Sequence, residues 1–141
     1  MSWLDERMAE SEAVRDKIRL ISEQAETVYE NLWREVKEIS DEARTKGFTI
    51  KRNGSPYQRI MRLFRDPQDQ RSQNAEELGL ALAPDKKTIT ATTPHTQFCF
   101  TLDTCDGGIV CLTIQGVKIS VRDAAIRVVD RWLFPELPPK Y

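Results

Sequence analysis

No run of about eighteen apolar residues occurs in this 141-residue chain, so none of it is expected to cross a membrane as a helix. The N-terminus, MSWLDERMAESEA, lacks the apolar stretch of a signal peptide, and a cytoplasmic setting is expected. There is one histidine, His95, placed after Pro94 in an expected connection between strands. A single histidine leaves one base for any nucleophile, and no ordered triad is suggested around it. The phosphate-loop, nucleophile-elbow and His-Glu-x-x-His patterns are also missing. An enzyme is therefore not expected, and no cofactor is implied.

Cysteine is scarce. Cys99, Cys105 and Cys111 are spaced evenly by six, without the close pairs that zinc sites use. His95 and Cys99 on an extended strand would stand about 13 Å apart, too far to share an ion. Asp103 and Asp106 flank a turn at Gly107–Gly108, but the ligand ladder of an EF-hand is absent. No metal site is expected. Reduced thiols are the expectation for an intracellular chain, with a diagonal Cys105–Cys111 bridge the one pairing within reach.

Glycine and proline are missing from residues 1–46 altogether, and Gly47 ends that run as a C-terminal cap. Apolar residues fall at Leu4, Met8, Val14, Ile18, Ile21, Ala25, Val28, Leu32, Val36, Ile39 and Ala43, mostly in steps of three and four. This is the period of an amphipathic helix, with a stutter between Leu32 and Val36. Tyr29 and Trp33 widen the stripe, and Glu30 stands four residues before Arg34 in the favourable order. A continuous helix over residues 1–46 would measure about 65 Å at 1.5 Å per residue. A compact domain of this mass is only about 30 Å across. The helix must bend, break near residues 9–14, or project and pack against another copy, and a homodimer is expected. Residues 28–46 should face the rest of the domain. Residues 1–27 should carry the surplus apolar surface, with Val14, Ile18, Ile21, Ala25 and Val28 as the candidate helix interface. Trp3 lies ahead of the main stripe and should be exposed unless a dimer covers it.

Beyond Gly47 the period shortens. Phe48–Arg52 and Tyr57–Arg65 flank Asn53–Gly54, a strong hairpin signal. Ser55–Pro56 as a helix start is the rival for the second of these segments, and the strand is preferred. Residues 66–76 are polar and expected to form a mobile loop. Leu78–Ala83 and Lys87–Thr93 flank Pro84–Asp85 as a second hairpin, and Gln97–Thr104 and Ile109–Gln115 make a third. Phe98, Phe100 and Leu102 share a face with Val110, Leu112 and Ile114 only if the loop is Asp106–Gly107–Gly108 and Cys105 pairs with Ile109. Ser120 caps a last helix carrying Val121, Ala124, Ala125, Val128, Val129 and Trp132, which ends at Pro135. The apolar tail after Phe134 can pack back on the sheet. The expected fold is α+β: a long N-terminal helix (1–46) and, in the same domain, a β-meander of about six antiparallel strands with a C-terminal helix (47–141).

Charge is segregated although the net charge is −1. Residues 1–43 hold 12 acidic and 6 basic side chains, whereas residues 44–71 hold 8 basic and 2 acidic. Arg52, Arg59, Arg62 and Arg65 are the candidate sites for an anionic ligand or partner, because the guanidinium fork suits phosphate and carboxylate. On a strand Arg59 and Arg65 share one face and Arg62 takes the other. Nucleic-acid binding usually needs a more basic domain, so internal pairing with the acidic helix is the simpler expectation. Three functions remain: a non-enzymatic scaffold that dimerises or binds a partner helix through residues 1–27, a carrier with an apolar pocket between sheet and helices, and a phosphate or nucleic-acid binder.

Overall fold

A computed structural model of the chain describes residues 2–52 and 59–139. The first element is one unbroken helix, α1 (Trp3–Thr45). Ser2 caps its start, the hydroxyl accepting from the Asp5 N–H at 3.2 Å. It ends where Gly47 takes a left-handed φ of 105°, which lets the Phe48 N–H reach back to the Ala43 carbonyl at 3.1 Å. No glycine or proline lies inside it to break the ladder, so neither a bend nor a break near residues 9–14 is needed.

Seven strands follow in chain order: β1 (Thr49–Arg52), β2 (Ile60–Phe64), β3 (Glu76–Leu82), β4 (Thr88–Thr92), β5 (Gln97–Cys105), β6 (Ile109–Ile114) and β7 (Val117–Ile119). They form one antiparallel meander in which spatial order equals sequence order. Residues 60–64 are strand, as preferred over the helical rival. The expected Asn53–Gly54 turn lies outside the described residues. Cys105 pairs with Ile109 and Leu102 with Leu112, so the three-residue loop places both apolar sets on one face. The seventh strand was not expected from the sequence. It is made by a two-residue turn at Gln115–Gly116, both at positive φ (51° and 79°), between the paired Ile114 and Val117. The polar segment 66–75 contains a 3-10 turn at Ser72–Asn74 and is laced by Asp69, which accepts from Arg71 and Asn74 at 2.8 and 2.6 Å.

The closing helix is α2 (Val121–Leu133), capped by Ser120 through the Asp123 N–H at 3.0 Å. Ala124, Ala125, Val128, Val129, Trp132 and Leu133 are buried, the stripe read from the sequence. The Trp132 indole donates to the Glu76 carbonyl at 2.9 Å, fixing α2 to the start of β3. Phe134 then turns back, its ring edge-on to Phe48 with centroids 5.8 Å apart.

Both helices lie in the layer over one face of the sheet. Ile50, Met61, Leu63, Leu78, Leu80, Ile89, Ala91, Phe100, Leu102, Val110 and Leu112 meet them in a single core. Helix α1 crosses the strands rather than following them. Its Arg44 donates to Ile50 in β1 at 2.9 Å, Tyr29 to Leu80 in β3 at 2.9 Å, and Gln24 accepts from Val110 in β6 at 3.0 Å. Burial along α1 starts at Ile21 and continues through Ala25, Val28, Leu32, Trp33, Val36, Ser40 and Ala43. The stutter after Leu32 brings in Trp33 and Ser40, and Ser40 settles its buried hydroxyl on the Val36 carbonyl at 2.8 Å.

Two expectations need correction. Ile21, Ala25 and Val28 of the candidate helix interface are buried in the chain's own core, so the boundary between covered and uncovered helix falls near residue 20, not 28. Glu30 does not pair with Arg34; it takes Arg59 at 2.6 Å, a partner the fold brings within reach from far along the chain. Truncating the fully buried Phe100 to alanine should cost about 3–5 kcal/mol in denaturant unfolding. Truncating the exposed Met8 in dilute solution should change stability by less than about 0.5 kcal/mol.

Candidate functional site

Every described residue from Ser2 to Arg19 is exposed. This stretch of α1 runs about 25 Å at 1.5 Å per residue, and only its last turns, from Val14, come alongside the sheet. It carries Trp3 (74% exposed), Leu4, Met8, Val14 and Ile18 (50%). These five lie on the side of the helix that continues the buried stripe. Of the sequence candidates, Val14 and Ile18 therefore belong to the uncovered arm; Trp3, Leu4 and Met8 join them.

The root of the arm is held firmly. The Gln24 carboxamide donates to the Gly108 carbonyl and accepts from the Val110 N–H, both at 3.0 Å, so one side chain clasps the backbone where the turn leads into β6. Lys17 reaches Asp103 at 2.7 Å and Lys86 reaches Glu26 at 3.4 Å. Between the arm and the sheet lies a groove of about 300 Å³, walled by Val14, Ile18, Ile21 and Leu102 with Lys17 and Asp85 at its rim. The bond to Lys17, joined by the Thr104 N–H at 2.8 Å, holds the Asp103 carboxyl below its ordinary value.

The four arginines do not make one cationic face. Arg52 pairs with Asp41 of α1 at 3.1 Å, Arg59 with Glu30 of α1 at 2.6 Å, Arg62 with Glu77 directly across β2 and β3 at 3.1 Å, and Arg65 with Glu76 at 2.5 Å. Arg65 also donates to the Leu133 and Trp132 carbonyls, both at 2.9 Å, closing the C-terminal end of α2. As strand geometry requires, Arg59 and Arg65 serve the helix side and Arg62 the open side. Each already has a carboxylate partner; for Arg52 and Arg59 it stands on the acidic helix, as charge segregation anticipated, whereas Arg62 and Arg65 take glutamates of β3 instead.

The cysteines depart from expectation. Cys105 and Cys111 are joined in a disulfide across 6.1 Å between Cα atoms, and Cys99 is free and exposed. Cys111 faces Asp103 and Cys105 faces Ile109, so the bridge is the diagonal pairing, which twist brings within disulfide range. His95 lies 3.8 Å from Glu76 at the surface. Among the described residues, no group of three or more histidine, cysteine or acidic side chains is arranged to hold a metal, and no helix is long and apolar enough to cross a membrane.

The Gln24 clasp, the Lys17–Asp103 pair and the Leu102 wall were not found from the sequence. Gln24 and Val110 are 86 residues apart, and nothing local to a lone glutamine or lysine marks such a partner. Searches against protein-family models, curated proteins and solved structures find no match to this chain.

A carboxyl held low in the fold supports stability above its unfolded value and loses that support as pH falls through the folded one. An NMR titration should therefore show Asp103 ionising below the usual carboxylate range, and Lys17→Ala should move it back up. An unchanged Asp103 titration in that variant would contradict the pairing.

Proposed function

We propose that this is a non-enzymatic interaction protein. Its sheet and α2 hold the root of α1 rigid, and residues 3–19 present an apolar stripe to a helical partner or to a second copy. The observation that carries this reading is the run of Trp3, Leu4, Met8, Val14 and Ile18 exposed along one stretch of helix, whereas the other exposed large apolar residues among those described, Ile109, Val117 and Leu137, belong to three different segments. Exposed apolar patches of this kind mark interaction surfaces on soluble proteins. A stripe at helical spacing suits a helix-in-groove or helix-on-helix mode of binding. Disulfides persist where the medium is oxidising, so the Cys105–Cys111 bond weighs against the cytoplasmic setting expected from the sequence.

The groove beside Leu102 gives some support to the carrier reading, since its walls are largely apolar. It is open along one side, however, and Phe100, behind which a carrier pocket was expected, is fully buried in the packed core. The phosphate or nucleic-acid reading is weaker, because Arg52, Arg59, Arg62 and Arg65 each already meet a carboxylate.

A photo-crosslinkable residue placed at position 4, 8 or 14 of the full chain, expressed in the cells that make it, should yield discrete adducts. The same residue at Thr90 on the open face of the sheet should not. Adducts absent from all three arm positions, or equally strong at Thr90, would overturn the interaction-arm reading.

A further inference from the structure

If the arm is an interaction surface, its own sequence and placement say what covers it. Residues 5–12 hold Asp5, Glu6, Glu10 and Glu12 against Arg7, while residues 15–19 hold Arg15, Lys17 and Arg19 against Asp16. The arm is thus acidic at its start and basic at its root. Two copies laid side by side in the same direction would set acid on acid and base on base. Laid in opposite directions, Arg15 and Arg19 at the root of each meet the acidic start of the other, Lys17 being engaged by Asp103 of its own chain, and the two helix dipoles also oppose.

Spacing points the same way. Leu4 and Ile18, and likewise Met8 and Val14, lie at equal distances on either side of Ser11. A two-fold axis at Ser11 sets Leu4 beside Ile18 of the second copy and Met8 beside Val14, a self-complementary arrangement of the kind dimers use. With the axis there, Trp3 and Leu4 of the second copy stand level with Arg19 and Ile18 of this chain. The second copy's first residues arrive over the groove of about 300 Å³ walled by Ile18, Ile21 and Leu102.

We infer that the partner is a second copy of this chain: two arms pair antiparallel over residues 3–19 about Ser11, and Trp3 and Leu4 of each enter the groove of the other. This rests on the interaction-arm reading and goes beyond it by fixing the occupant, the direction and the register. The stripe on α1 is then continuous in function. Its second half closes the chain's own core and its first half closes the dimer.

The test uses purified full-length protein with the exposed Cys99 changed to serine and single cysteines introduced in the arm. Under mild oxidation Ser11→Cys should crosslink to itself. Met8→Cys and Val14→Cys should crosslink mainly when mixed, because like positions then stand about 9 Å apart along the axis. Sedimentation equilibrium of the unmodified chain at tens of micromolar should give the dimer mass, and Leu4→Glu should weaken association roughly tenfold or more without lowering the melting temperature in dilute solution. Strong self-crosslinking of Met8→Cys and of Val14→Cys, each alone, would overturn the antiparallel register. A chain that stays monomeric throughout would overturn self-pairing. Should adducts still form in cells at positions 4, 8 and 14, that monomer would leave the interaction-arm reading standing with a different helical partner.

Discussion

A seven-stranded sheet is about 29 Å from edge strand to edge strand, at roughly 4.8 Å between neighbours, whereas the helix laid across it is about 65 Å long. The apolar stripe of α1 starts well before the sheet does. From Ile21 to Ala43 the stripe finds β1 to β6 and α2, and it supplies the central row of the core. Before Ile21 the same stripe is exposed, with only the open groove beside Leu102 bordering Val14 and Ile18. Each feature of interest follows from this mismatch: the projecting arm, the groove where arm and sheet part, and the cluster of polar ties at the root.

Those ties determine how sharply the boundary is drawn. Gln24 satisfies a donor and an acceptor where the turn leads into β6, so backbone groups there find a partner where the helix leaves. Lys17 and Asp103 make the outermost contact, and both are largely exposed, so the pair orients more than it stabilises. The Cys105–Cys111 bridge stiffens the same hairpin.

Much of this architecture was legible in the sequence because it depends on local periodicity. The unbroken run to Gly47, the meander with its parity argument for Cys105 and Ile109, and the Ser120 cap all follow from spacing alone. What was missed depends on contacts between distant residues. The covered part of α1 starts at Ile21 instead of Val28 because sheet width and crossing angle set that limit, and neither is written in the helix. The strand Val117–Ile119 is only three residues long, and its Gln115–Gly116 turn has a non-glycine residue in a left-handed conformation, a weaker signal than Asn-Gly. The Cys105–Cys111 disulfide lies within the reach of the hairpin register, and reduced thiols follow only from the expected compartment, a premise the residues themselves do not supply. The arginines alternated as a strand demands, yet only the fold shows that Glu30, Asp41, Glu76 and Glu77 stand ready to pair with them.

Exposure and burial on one helical stripe should translate into a step in backbone protection. Amide hydrogen exchange along α1, measured on the dilute chain, should be slow from about Ile21 to Ala43. It should be faster by orders of magnitude for residues 5–17, since local opening there costs no core contacts. Uniform protection along the whole of α1 in dilute solution would contradict the account. So would fast exchange between Ala25 and Val36.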